Sequence, residues 1–191
     1  MGAPAAEVYA PSVENGEPLR LVLVFHGAGG RAGRSLERLA SYAARHRLLL
    51  LAVQSTGPTW DVIRGDYGPD VTNIASLLER ISAEYPIKGY TLSGFSDGAS
   101  YALSLGLTNG DVFDSVIAFS PGFEASGSHH GEPRFFVSHG KDDKVLPIER
   151  CSRRLVPRLE ANGYDVTYVE FAGGHEVPRD IAQRAVTWLT T

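Results

Sequence analysis

Ser96 stands between two glycines in LSGFSDGAS, residues 92 to 100, at the end of an apolar run. A serine hydroxyl barely ionises at neutral pH, so it acts as a nucleophile only where a neighbouring base takes its proton. The pattern Gly-x-Ser-x-Gly carries little weight alone: with 21 glycines in 191 residues it is expected by chance about 0.2 times per chain. Its setting adds weight. A strand that turns abruptly into a helix displays a side chain at a crowded elbow where only small neighbours fit, and Gly94, Gly98 and Ala99 are small. The helix that begins there also aims backbone N–H groups and its positive dipole end at whatever lies above the serine.

The base for such a serine should be a histidine, and the chain has six. His46 ends an amphipathic stretch and reads as a solvated cation at a helix C-terminus. His129 and His130 lie in SGSHHGEP, a surface loop where a fortuitous metal site is the less ordinary option. His26 and His139 each precede glycine at a strand end, where an imidazole braces loops by hydrogen bonds. His175 alone follows a strand and a Gly-Gly hinge, which frees it to reach across the strand ends, so it is the candidate base. A base needs a carboxylate to hold its tautomer and stabilise the imidazolium. HGKDD offers Asp142 and Asp143 one strand before His175.

These residues need a scaffold, and the hydropathy pattern describes one. From Arg20 onward short apolar runs alternate with amphipathic stretches. LRLVLVFHG, LLLLAVQS, IKGYTLSG, FDSVIAFS, RFFVSHG and YDVTYVEF read as strands, with EVYA as an added edge strand. Helices are expected over 34–46, with Leu36, Leu39, Ala40 and Ala43 on one face, from Asp70 as N-cap to before Pro86, and after Ser96 until Asn109-Gly110. Ile148, Cys151, Leu155 and Leu159 mark another that Pro157 should kink, and Pro178 begins the last. The alternation implies an α/β fold, a mostly parallel sheet of about six to seven strands covered by helices on both faces, in one domain over residues 1–191. STGPTWDVIRGDYGPD is too rich in glycine and proline for a helix and should border a site. In a parallel sheet ligands bind outside the carboxyl ends of the strands. HGAGG, GFSDG, HGKDD and GGHEVP all fall there.

Composition narrows the function classes. The net charge of −4, without a long run of either sign, shows no footprint for nucleic acid or an anionic membrane. A single cysteine, Cys151, excludes an internal disulfide framework and a cysteine metal cluster, and reads as a small apolar helix residue. The start, MGAPAAEVYA, has neither the basic nor the apolar region of a signal peptide, and its Met-Gly lacks the Ser or Thr at position 6 of a myristoylation motif. LLLLAV is far too short to cross a bilayer, so a cytoplasmic protein is expected.

Taken together, LVFHGAGG, GFSDGA, SHGKDDKVLP and FAGGHEVP resemble the four signatures of the small α/β-hydrolase serine esterases, in particular the lidless phospholipase/carboxylesterase group. The likeness runs from about residue 20 to the C-terminus. It implies an α/β-hydrolase fold without a cap domain and a Ser-Asp-His order of catalytic groups. By that likeness the acid is Asp143, the aspartate of His-Gly-x-x-Asp, with Asp142 left as a turn residue. It also implies an oxyanion hole from the backbone N–H groups of Ala28 and Asp97, which Gly29 and Gly30 would let a substrate approach. Position 97 departs from the common pattern. A carboxylate beside a developing oxyanion is harmful, so its side chain is expected to turn away, as suits an acidic residue in a first helical turn.

The reaction expected is hydrolysis of a small to medium carboxylic ester through an acyl-enzyme, with no cofactor and no metal. Trp60, Tyr67, Phe123 and Leu146 are candidates for an apolar substrate pocket, and each is equally open to a plain packing role. Arg31 and Arg34 are either an attraction for an acidic substrate or a solvated helix start. Thioester, aryl ester and polyester hydrolysis are alternatives within the same chemistry. A ligand-binding protein without turnover is a rival that needs no base or acid. Peptidase action is disfavoured because no second domain is there to grip a peptide. The partner expected is a small-molecule ester, and oligomeric state is not legible.

Overall fold

The computed structural model of the chain describes residues 5–12, 16–65, 67–125 and 127–191, so the Met-Gly start lies outside it. Seven strands form one sheet: β1 (Ala6–Tyr9), β2 (Leu19–Phe25), β3 (Leu48–Val53), β4 (Ile87–Phe95), β5 (Ser115–Phe119), β6 (Arg134–Gly140) and β7 (Val166–Phe171). Their order is β1-β3-β2-β4-β5-β6-β7. Every neighbouring pair is parallel except β1, which runs antiparallel along β3 at one edge.

Both faces of this sheet are covered, and the covering explains the strand sequences. Along β2, Leu19, Leu21, Leu23 and Phe25 join a core completed by α3 (Pro69–Glu84), α4 (Asp97–Thr108) and α5 (Ser152–Ala161). The alternate residues Val22 and Val24 enter a second core with Leu39 and Ala43 of α1 (Ala32–Ala43) and Ile181, Ala185 and Leu189 of α6 (Arg179–Thr190). A strand buried on both sides cannot alternate in polarity, so LRLVLVF and LLLLAV appear as unbroken apolar runs. Each fully buried leucine among them contributes about 1.5–3 kcal/mol relative to exposure. No helix among the described residues is long and apolar enough to cross a membrane.

Three expectations need correction. The connection after β3 carries a short helix, α2 (Asp61–Arg64), despite its glycines and prolines. Asp61 makes it possible by accepting from the Val62 N–H through Oδ1 at 2.8 Å. Asp70 is not the cap of α3, because Pro69 takes the first helical position and Gly68 precedes it. The carboxylate of Asp61 caps α3 instead, through Oδ2 to the N–H groups of Gly68 and Asp70, both at 2.9 Å. Asp70 turns back to accept from Thr56 N–H at 2.7 Å and Asp61 N–H at 3.0 Å. Finally, the helix expected over 34–46 begins at Ala32 and closes in a 3₁₀ turn over Ala44–His46. Gln54 Oε1 caps its start by accepting from Ala32 N–H at 3.1 Å. Pro157 lies inside α5 on its exposed side, and the helix continues through it as one element.

Candidate active site

β4 ends at Phe95 and α4 starts at Asp97, which leaves Ser96 alone at the turn with φ 58° and ψ −122°. A non-glycine residue is held in such a conformation only when its surroundings over-determine it. Here they do. A Cβ on Gly94 would overlap the Gly98 carbonyl, and one on Gly98 would overlap the carbonyls of Phe25 and His26. The helix start is therefore pressed against the ends of β2 and β4, and the Ser96 N–H is tied to the Phe119 carbonyl at 3.0 Å.

The turns after β6 and β7 bring two further groups to this point. His175 Nε2 lies 2.9 Å from Ser96 Oγ, and His175 Nδ1 lies 2.7 Å from Asp143 Oδ2. With Nδ1–H donating to the carboxylate, Nε2 has its lone pair free to accept the serine proton. Asp143 is buried, and burial alone would push its carboxyl up. The hydrogen bonds from His175 and from the Leu146 and Val145 N–H groups outweigh that and hold it below the usual carboxylate range. A ring contact backs the imidazole: Phe95 sits 4.7 Å from His175, with Arg38 over the Phe95 ring at 4.8 Å. Neither Phe95 nor Arg38 was nominated by pattern, although Phe95 precedes the serine directly.

The loop after β2 is a tight turn in which Gly30 N–H bonds the Gly27 carbonyl at 2.9 Å and Gly29 N–H bonds the Pro58 carbonyl at 2.7 Å. Among the described residues no acceptor is found for the N–H groups of Ala28 or Asp97. The Asp97 carboxylate is held by Thr59, whose hydroxyl donates to Oδ2 at 2.6 Å. A cavity of about 580 Å³ adjoins this turn, walled by Glu7, Gly29, Gly30, Arg31, Gln54 and Pro58. Arg31 and Arg34 are both exposed at the start of α1.

The four pocket candidates separate. Phe123 is 40% exposed. Leu146 packs against Gly122 beside it, with Leu146 following the Asp143 turn. Ser100 on α4 anchors that strip, accepting from Gly122 N–H at 2.9 Å. Trp60 is a correction: it is fully buried, stacks on Tyr101 at 4.7 Å and donates Nε1–H to the His26 carbonyl at 2.9 Å. It supports the loop from below and presents no surface to solvent. Tyr67 packs on the core shared by α3 and α4, and its hydroxyl lies 3.5 Å from that of Thr108, the last residue of α4. That places it at the far end of the helix from Ser96, roughly 17 Å along the axis.

The other histidines are accounted for as well. His26 donates Nδ1–H to the Gly27 carbonyl at 2.7 Å, and its Nε2 accepts from Ser55 N–H at 3.2 Å, bracing two loops. His46 lies 3.3 Å from the Thr190 hydroxyl. His129 and His130 are exposed, with the His129 ring 6.0 Å from Tyr164. Among the described residues no group of three metal-ligating side chains includes them. His139 is fully buried beneath Asp143.

With this geometry in place, the chain can be compared with known proteins. The family model described as putative esterase matches residues 72–155, from the first turn of α3 into α5. No curated protein sequence matches. Among solved structures, esterase PE8 is 21% identical with a TM-score of 0.80, covering 98% of both chains. S-formylglutathione hydrolase from Staphylococcus aureus is 15% identical with a TM-score of 0.80, over 97% of this chain and 92% of that one. Phospholipase/carboxylesterase from Dyadobacter fermentans DSM 18053 is 21% identical with a TM-score of 0.72, over 100% of this chain and 99% of that one. At such identities the structural likeness speaks for the fold alone, the α/β-hydrolase fold, with no cap domain among the described residues. The family match covers less than half of the chain, and together with the fold it marks the chain as similar to ester-hydrolysing enzymes of the α/β-hydrolase fold.

Proposed function

We propose that the chain is a serine carboxylesterase that hydrolyses small to medium carboxylic esters through an acyl-enzyme on Ser96. The observation that carries this reading is the hydrogen-bonded series Ser96 Oγ, His175, Asp143, with steps of 2.9 and 2.7 Å between residues 79 and 32 positions apart in the chain. His175 takes the serine proton as Oγ attacks the ester carbonyl, and Asp143 stabilises the imidazolium that results. The negative charge on the carbonyl oxygen falls to the N–H groups of Ala28 and Asp97, donors with no acceptor among the described residues. One such donor is worth roughly 10²–10³ in kcat. His175 then gives its proton to the leaving alcohol and activates a water that releases the acid.

Phe123 and Leu146 form the apolar side on which an acyl or alcohol group would rest. Burying a short alkyl chain there contributes about 0.8 kcal/mol per methylene, which gives graded selectivity and no sharp cut-off. The test joins labelling by a fluorophosphonate with turnover of p-nitrophenyl esters of increasing acyl length. Wild type should be labelled at Ser96 and active, and Ser96→Ala should be neither. A folded wild type that is neither labelled nor active would sink the proposal.

A further inference from the structure

Two imidazoles meet the Asp143 carboxylate, and the chemistry proposed above uses only one. Oδ2 accepts from His175 Nδ1 at 2.7 Å, and His139 Nε2 lies 3.2 Å from the same oxygen. The side chains of both His139 and Asp143 are completely buried. The partners of His139 settle where its proton sits. Nε2 faces two acceptors, the Leu146 carbonyl at 2.8 Å and Asp143 Oδ2, so it carries the hydrogen. Nδ1 lies 2.6 Å from the Ser152 hydroxyl, which donates to it.

We infer that His139 is a positioning residue for the reaction: its Nε2–H fixes the Asp143 carboxylate in the orientation that presents Oδ2 to His175. The inference rests on the triad reading above. Oδ1 is already anchored by the N–H groups of Val145 at 2.9 Å and Leu146 at 2.8 Å. A second point of attachment, on the other oxygen, is what prevents rotation about Cβ–Cγ. The helix start at Ser152 fixes the ring that provides it. A neutral donor suits this place better than a cation, because it shares the oxygen without cancelling the charge that stabilises protonated His175. Burial holds His139 below the ordinary histidine range, against the opposing pull of the Leu146 carbonyl and of Asp143, so it stays a neutral donor while His175 cycles. The ionisable groups that act on the ring are Asp143 and His175; the Cys151 thiol, next in sequence to Ser152, is pushed up by burial and by Asp143. Glu170, opposite His139 in the register with β7, is engaged by Arg153 at 2.7 Å.

The experiment compares His139→Leu, which removes the donor, with His139→Gln, whose amide N–H reaches the same two acceptors. Folded His139→Leu should lose about tenfold in kcat on p-nitrophenyl acetate with KM within about twofold, because the carboxylate is misplaced and substrate contacts are not. With one donor gone, Oδ2 acts more strongly on His175, and the acidic limb of the kcat/KM profile should move to higher pH by about half a unit. His139→Gln should restore both. His139→Asn, too short to reach Oδ2, serves as a second donor-removing variant and is read the same way if the leucine variant does not fold. A folded donor-removing variant with wild-type kcat and an unmoved limb overturns the inference. So does a loss that merely tracks the unfolded fraction and is not restored by glutamine. Failure of wild type to be labelled at Ser96 overturns the triad reading instead.

Discussion

The elbow at residues 94–99 and the connection over 54–68 both border Ser96, yet different forces shape them. At the elbow, backbone lies against backbone: Gly94 meets the Gly98 carbonyl, and Gly98 meets the carbonyls that end β2. The connection is held by side chains. Trp60 is driven into the core, and two carboxylates exchange bonds, Asp61 with the N–H groups of Gly68 and Asp70, Asp70 with those of Thr56 and Asp61. Thr59 then ties the two regions together through Asp97. A region built by contact tolerates no added atom but is indifferent to charge. One built by buried carboxylates tolerates changes of shape better than the loss of an acceptor.

Substitutions that break each region should show this difference. The largest effect belongs to chemistry at the elbow: Ser96→Ala should lower kcat/KM by about 10⁴-fold or more while leaving the thermal midpoint near wild type, as read by ester turnover beside a melting curve. Next is shape. Gly94→Ala, one added methyl, should cost about 3 kcal/mol and lower Tm by on the order of 10 °C. Asp70→Ala should follow at about 2 kcal/mol in urea unfolding, since the N–H groups of Thr56 and Asp61 lose their acceptor inside the fold. The shape-preserving Asp70→Asn should recover part of it. The smallest effect is expected from Thr59→Val, which removes only the link to Asp97. Stability should change by about 1 kcal/mol or less, and kcat should fall by about threefold as the freed carboxylate disturbs the N–H groups proposed as oxyanion donors.

Acid should weaken the site and not the elbow. His139 is held below its ordinary range, so the unfolded chain takes up that proton first, and stability falls as pH drops below the usual histidine value of about 6.5. Asp143 is held low as well, and its contribution is present above the ordinary carboxylate range and lost as pH falls through its own lower value. Melting curves from pH 7 downward should therefore decline, and His139→Gln should flatten the first part of the decline.

Much of this was legible in one dimension. The six core strands and the edge strand follow from apolar runs, and the elbow follows from Gly94, Gly98 and Ala99 around Ser96. His175 was nominated from a short motif after a strand, while the residues alone left Asp142 and Asp143 open and only the resemblance to the esterases chose Asp143. Trp60 was left open between pocket and packing because hydropathy cannot distinguish an aromatic that lines a pocket from one that supports it. Asp70 looked like a cap because the rule for helix starts considers only neighbours in sequence, while the true acceptor is Asp61, nine residues away. Thr59, Phe95 and the second role of His139 left no local sign.

What the sequence determined by itself was therefore whatever acts between near neighbours: the period of burial that makes strands and helices, and the steric need for small residues at an abrupt turn. Tertiary structure alone decided which side chains meet. The β2-β4-β5-β6-β7 order brings Ser96 within 2.9 Å of His175, 79 residues away, and puts two imidazoles on one carboxylate. The physical reason is range. Periodicity and crowding act over a few bonds and so mark the chain locally, whereas a hydrogen bond depends on distance in space, which only the order of the strands supplies.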